Sequence, residues 1–167
     1  MSELDSYQLT PQLKQEIKAW IAKFPKGKQA SAVIMALRLV QQSCGYLQEP
    51  HLNAVADFLK MPTIQVYDVF KFYSMFYQKP VGQQVFKVCN SISCYLNGSG
   101  DILASLKHQL GIDVGETTRD GAFSLRETEC LGSCCQAPCM LVNDHDYHYS
   151  MDEKKIATLI DELKEAK

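Results

Sequence analysis

No stretch of the chain approaches the roughly eighteen consecutive apolar residues that a membrane helix needs, so none of it is expected to span a bilayer. Basic residues are in slight deficit. The net charge is −2 and no basic stripe is visible, which argues against nucleic acid or an anionic membrane surface as a partner. Met1–Thr10, reading MSELDSYQLT, has no positive region followed by an apolar run, and is not read as a secretory signal. Internal repeats and low-complexity segments are missing. So are a Ser/His/Asp arrangement and a carboxylate pair with clear context. The expectation is a protein without direct membrane insertion, cytosolic or on the inner face of a larger assembly. What is present suffices for a packed core: 46 % of the 167 residues are hydrophobic, in a length that suits one domain or two small ones.

The first half reads as helices. Leu13, Ile17, Trp20, Ile21 and Phe24 recur at helical spacing after the start signal Thr10-Pro11. Ala30, Val33, Ile34, Leu37, Val40 and Cys44 form a second apolar face, with Gly45 able to close it in a left-handed cap. Leu52, Val55, Phe58 and Leu59 suggest a third helix. A fourth follows Pro62, with Ile64, Val66, Val69 and Phe70 expected inward. The aromatic run Phe70, Phe72, Tyr73, Phe76 and Tyr77 is expected to be mostly core. Short connections favour a compact bundle.

Lys79-Pro80-Val81-Gly82 is a turn-rich break. It divides the chain into an N-terminal helical domain, residues 1–80, and a second domain, residues 81–167. Beyond the break, Val85–Val88 reads as a strand, Asp101–Leu110 as a helix and Ala122–Thr128 as a second strand. Met140–Val142 and Tyr147–Tyr149 read as a hairpin, and Asp152–Glu165 as a last helix whose polar face, with Lys154-Lys155 and Glu162–Lys167, is solvated. The order β-α-β-β-β-α, with a right-handed crossover, makes the first two strands parallel and the hairpin antiparallel. Helices can then cover both faces. This element order points to a thioredoxin-like arrangement, α+β or α/β in class, with a four-stranded mixed sheet.

Seven cysteines occur, and six of them lie between positions 89 and 139. In a reducing compartment such a group suits metal binding or catalysis better than a disulfide framework. Cys89-Asn-Ser-Ile-Ser-Cys94 is a C-x4-C pair where the first strand gives way to a loop. Cys130-Leu-Gly-Ser-Cys134 is a C-x3-C pair just after the second strand. Parallel neighbouring strands would bring both pairs out at one sheet edge, although 35 residues separate Cys94 from Cys130. Cys89, Cys94, Cys130 and Cys134 are therefore the candidate ligands, and thiolates suit an iron–sulfur cluster or zinc.

Gly132 allows the tight loop. Ser91, Ser93 and Ser133 are small enough for backbone N–H groups to approach the sulfurs. Structural zinc more often uses C-x2-C knuckles and a dithiol redox site uses C-x-x-C, so both remain alternatives that fit less well. Adjacent side chains diverge, so only one of Cys134 and Cys135 should reach a metal. Cys139 and Cys44 read as small buried hydrophobes, and His145 and His148 as solvent-exposed turn residues. Gly98-Ser99-Gly100 begins like a dinucleotide fingerprint, but position 103 is Leu. A one-electron centre without its own substrate pocket must exchange electrons with a partner.

These cysteine motifs, with Ala137-Pro138 close behind, resemble the thioredoxin-like [2Fe-2S] ferredoxin family. Gly45-Tyr46-Leu47 and Phe72-Tyr73-Ser74-Met75-Phe76 add a resemblance to its 24 kDa (E) subunit branch in NADH:quinone oxidoreductase, respiratory complex I. The likeness spans roughly residues 8–165. It implies a [2Fe-2S] cluster on Cys89, Cys94, Cys130 and Cys134, in a polypeptide not catalytic on its own. It implies docking onto the flavin- and NADH-binding subunit, which holds FMN and NADH, and through it onto the rest of complex I. The implied location is cytoplasmic, in the peripheral arm on the inner face of a bacterial inner membrane, or on the mitochondrial matrix side. The family also contains equivalent subunits of NAD-reducing hydrogenases and formate dehydrogenases. Cys135 and Cys139 depart from its usual residue types.

Overall fold

The computed structural model describes residues 7–165. Part of Met1–Thr10, and the last two residues of the Glu162–Lys167 face, lie outside that range. The chain forms two compact units, Met1–Pro80 and Val81–Lys167.

The first unit is built from four helices: α1 (Pro11–Ile21), α2 (Val33–Cys44), α3 (Glu49–Leu59) and α4 (Thr63–Phe72). The Thr10 hydroxyl accepts from the Leu13 N–H at 3.2 Å, and Pro11 opens α1 at a position whose N–H no helix bond requires. Gly45, at φ 79°, closes α2 in the left-handed conformation. Ile17, Leu37, Val40, Leu52, Val55, Leu59 and Val66 interdigitate as one apolar core. The buried Gln41 side chain ties the segment after α4 to α2. Its Nε2 donates to the Met75 carbonyl at 2.9 Å, and its Oε1 accepts from the Tyr77 N–H at 2.7 Å.

Two expectations fail in this unit, while the aromatic run is mostly core as expected. Ala30 falls in a separate 3-10 turn, Gln29–Ala32, and is exposed. Ile64 lies 63 % exposed on α4, opposite the buried Val66 and Phe70. Phe72 is 80 % exposed at the end of α4, while Phe70, Phe76 and Tyr77 are core. A ten-residue helix has one buried stripe, and α4 carries more apolar residues than that stripe holds.

The second unit contains β1 (Gln84–Cys89), α5 (Ile92–Leu96), α6 (Ser99–Leu110), β2 (Phe123–Thr128), β3 (Met140–Val142), β4 (Asp146–His148) and α7 (Glu153–Glu165). The sheet order is β2-β1-β3-β4. β1 and β2 are parallel, while β1–β3 and β3–β4 are antiparallel. Phe86 and Val88 of β1 share a face with Leu125, Met140 and Val142. Against that one face pack both Ile102 and Leu106 of α6 and Ile156, Leu159 and Ile160 of α7. The two long helices therefore lie on the same side rather than on opposite sides. The crossover α6 and the terminal α7 share one apolar layer, in which Phe86 and Phe123 stack with centroids 5.5 Å apart. The other face carries Val85, Lys87 and Leu141, and Lys87 is ion-paired with Asp144 of the β3–β4 turn. Among the described residues no helix is long and apolar enough to cross a membrane.

Gly82 approaches the sheet closely. Its N–H donates to the Ser124 hydroxyl at 2.7 Å, and a Cβ placed on it would lie 2.6 Å from the Phe123 carbonyl carbon. Backbone cannot yield as a flexible side chain does. Gly82→Ala should therefore destabilise the chain by about 1–3 kcal/mol, seen as a lower urea midpoint at unchanged slope. An unchanged midpoint would show that the β1 entry tolerates the methyl group.

Candidate metal centre

The pairing of β1 with β2 brings the cysteines together. Their parallel register sets Cys89 against Thr128, so Cys89 ends one strand and Cys130 follows the other by two residues at the same sheet edge. After Cys89 the chain turns into the short helix α5, which carries Cys94 on its buried side. After Cys130 it turns through Gly132, at φ 76°, into a 3-10 turn spanning Cys134–Gln136. The two loops are stitched together. The Asn90 N–H donates to the Thr128 carbonyl at 3.1 Å, the Ser93 hydroxyl to the Cys134 carbonyl at 3.4 Å, and the Ser91 hydroxyl to Glu129 Oε2 at 3.5 Å.

Within this frame the sulfurs form two groups. Cys130 and Cys134 Sγ lie 3.7 Å apart at the surface. Cys89, Cys94 and Cys139 are buried, with their sulfurs all within 4.8 Å of one another. The Cys89 and Cys94 charges reach across to Cys134, pushing its thiol up after the larger effect of Cys130 beside it. Cys135, next along the chain, is exposed, whereas its neighbour Cys134 faces Cys130. Cys44 lies in the first unit, half-buried, 3.6 Å from the Tyr7 hydroxyl. His145 is exposed and His148 half-buried on the β3–β4 hairpin.

Backbone donors converge on the sulfurs, from Ser91 and Gly132 as expected and also from Leu131 and Cys139. Burial pushes the Cys89 thiol up, but the N–H groups of Ser91 and Leu131 outweigh it, and the thiol sits below its ordinary range. The Gly132 N–H points at Cys130 Sγ at 3.4 Å. For Cys94 burial prevails and the thiol is raised, against the opposing N–H of Cys139. Thiolate ligands gathered round a metal centre carry net negative charge, and amide dipoles aimed at the sulfurs are what that charge requires. The donor set therefore fits a thiolate-bound cluster.

Two features go beyond what the sequence suggests. Cys139 is buried, as a small hydrophobe should be, but it sits at the cluster edge. Its thiol is pushed up to about 12 by burial and then by the Cys94 sulfur alongside. The signal for this placement is the apolar strand directly after it, which a hairpin return sets beside β1. The second feature is α5, whose Ile92, Tyr95 and Leu96 are 73 %, 65 % and 75 % exposed. Their i, i+3, i+4 spacing marks an outward apolar turn.

Comparison with known proteins agrees with this geometry. The model of the thioredoxin-like [2Fe-2S] ferredoxin family matches residues 17–164. The E subunit of NADH-quinone oxidoreductase from Rickettsia bellii is 42 % identical over 145 residues, covering 86 % of each chain. The second E-type subunit of the same enzyme from Rhizobium meliloti is 39 % identical over 154 residues, covering 92 % of this chain and 90 % of its own. The mitochondrial NADH dehydrogenase [ubiquinone] flavoprotein 2 of Dictyostelium discoideum is 37 % identical, covering 91 % of this chain and 62 % of its own. Among solved structures, an NAD+-reducing [NiFe]-hydrogenase in the air-oxidized state superposes with a TM-score of 0.67 over 78 % of this chain. At 22 % identity that likeness is one of fold, and it spans 23 % of the hydrogenase chain. With its family motif, its sheet order and its converging cysteines, the chain belongs to the thioredoxin-like [2Fe-2S] ferredoxins.

Proposed function

We propose that this chain is the electron-transfer iron–sulfur subunit of an NADH-quinone oxidoreductase, binding one [2Fe-2S] cluster through Cys89, Cys94, Cys130 and Cys134. One observation carries the reading: the two cysteine loops leave neighbouring parallel strands at a single sheet edge, with backbone N–H groups aimed at their sulfurs. Relatives at 37–42 % identity over most of the chain are named as subunits of NADH-quinone oxidoreductase or as an NADH dehydrogenase [ubiquinone] flavoprotein, and this favours that complex over a hydrogenase or a zinc-stapled module. When bound, the cluster accepts and returns single electrons.

The chain's own residues prepare for that. Ser91, Leu131, Gly132 and Cys139 present N–H groups that counter thiolate charge without moving. Burial of Cys89 and Cys94 keeps water from half of the site, while Cys130 and Cys134 reach the surface. Electrons therefore have a short route to a partner on the exposed side. The partner we propose is the flavin-binding subunit that oxidises NADH, with FMN and NADH held there. The exposed Ile92, Tyr95 and Leu96, directly beside Cys94, form an apolar surface of the kind such docking buries. Through that partner the chain would sit in the peripheral arm of complex I, off the bilayer.

The ligand set and the docking face can each be tested. Cys89→Ala and Cys130→Ala should each abolish the dithionite-induced EPR signal with average g below 2 and reduce iron well below two per chain, whereas Cys135→Ala keeps both. A full cluster in either single variant, or an apo Cys135→Ala protein, would show that the ligand set is wrong. Leu96→Asp should leave iron content unchanged but weaken co-purification with the flavin-binding subunit, by roughly tenfold in dissociation constant. Unaltered affinity would place the docking face elsewhere.

A further inference from the structure

Of the two cysteines near this edge outside the proposed ligand set, Cys135 is exposed, whereas the fold places Cys139 against that set. β3 starts at Met140, which pairs with Val88, so Cys139 continues the register beside Cys89. The Cys89 N–H donates to the Cys139 carbonyl at 3.2 Å, fixing the backbone there. The Cys139 side chain is 1 % exposed, and its Sγ lies 3.7 Å from Cys94 Sγ, within the sulfur–sulfur hydrogen-bond range. Leu131 and Ala137 pack against the buried trio of Cys89, Cys94 and Cys139, whose sulfurs all lie within 4.8 Å of one another.

We propose that Cys139 is a tuning residue whose S–H donates a hydrogen bond to the Cys94 sulfur and raises the reduction potential of the bound cluster. The inference rests on the cluster reading above, with Cys94 as a ligand. A ligated Cys94 is a thiolate and can only accept; a non-ligating thiol has one proton to give. Each electron added to the cluster raises the negative charge on the ligand sulfurs. A donor aimed at one of them therefore stabilises the reduced form more than the oxidised form. The low dielectric of the pocket strengthens that preference. The neighbouring Cys139 N–H, also directed at Cys94, survives any side-chain change, so the side chain can be tested alone.

The test is an EPR-monitored redox titration of the full-length chain and its Cys139→Ala, Cys139→Val and Cys139→Ser variants, with iron counted in each. Two irons in every protein, a more negative midpoint in the Ala and Val variants, and a return toward the original midpoint in the Ser variant would establish the donor. Serine restores an O–H donor, whereas a purely packing role would be met by Val. Midpoints unchanged in Ala and Val at full iron content would overturn the proposal. Loss of iron in Cys139→Ala together with its retention in Cys94→Ala would also overturn it, by making Cys139 the ligand. An iron-free parent chain would instead overturn the cluster reading itself.

Discussion

The parallel pairing of β1 and β2, in the register that sets Cys89 against Thr128, is the constraint on which the site depends. Side chains alternate across a strand, so a slip of one residue would turn Phe86 and Val88 out of the apolar layer beneath α6 and α7. Burial of that layer thus holds the register, and the register holds the loops. Each cysteine pair only has to be placed correctly relative to its own strand end. The bonds from Asn90, Ser91 and Ser93 then lock one loop to the other.

The site has an inside and an outside. Cys89 and Cys94 lie in the protein interior against Leu131 and Ala137, where a thiolate is costly unless donors meet it. Cys130 and Cys134 lie at the surface, where water shares that task. The asymmetry follows from chain geometry: α5 folds Cys94 back under the sheet edge, while the Gly132 turn lifts Cys134 outward. It suits a protein that holds a redox centre firmly and leaves one side of it open for a partner to cover.

Much of this is legible in the residues alone, for local reasons. Helix periods, the Thr10-Pro11 start, the Gly45 stop and the short, almost continuously buried run of β1 are each set within a few residues. The C-x4-C and C-x3-C spacings, placed just after expected strands, point to the same four residues that the two loops carry to one edge. The residues that depart from their pattern are Ile64, Phe72 and Ala30, apolar side chains left outside. A periodic pattern reports which face could be buried, but not how much of it the neighbouring helices have room to cover.

Short-range sterics and spacing were thus enough to define the long helices, the strands, the candidate thiols and their grouping in two pairs, but not the short helix α5, which lies where a loop was expected. That α6 and α7 share one face of the sheet is instead a product of long-range packing. So is the placement of Cys139 against Cys94, with Ile92, Tyr95 and Leu96 left outside. These outcomes depend on the antiparallel register of β3 beside β1 and on the packing of segments some 45 residues apart in the chain. No local pattern encodes such a juxtaposition; it comes from the collective burial of the sheet's apolar face.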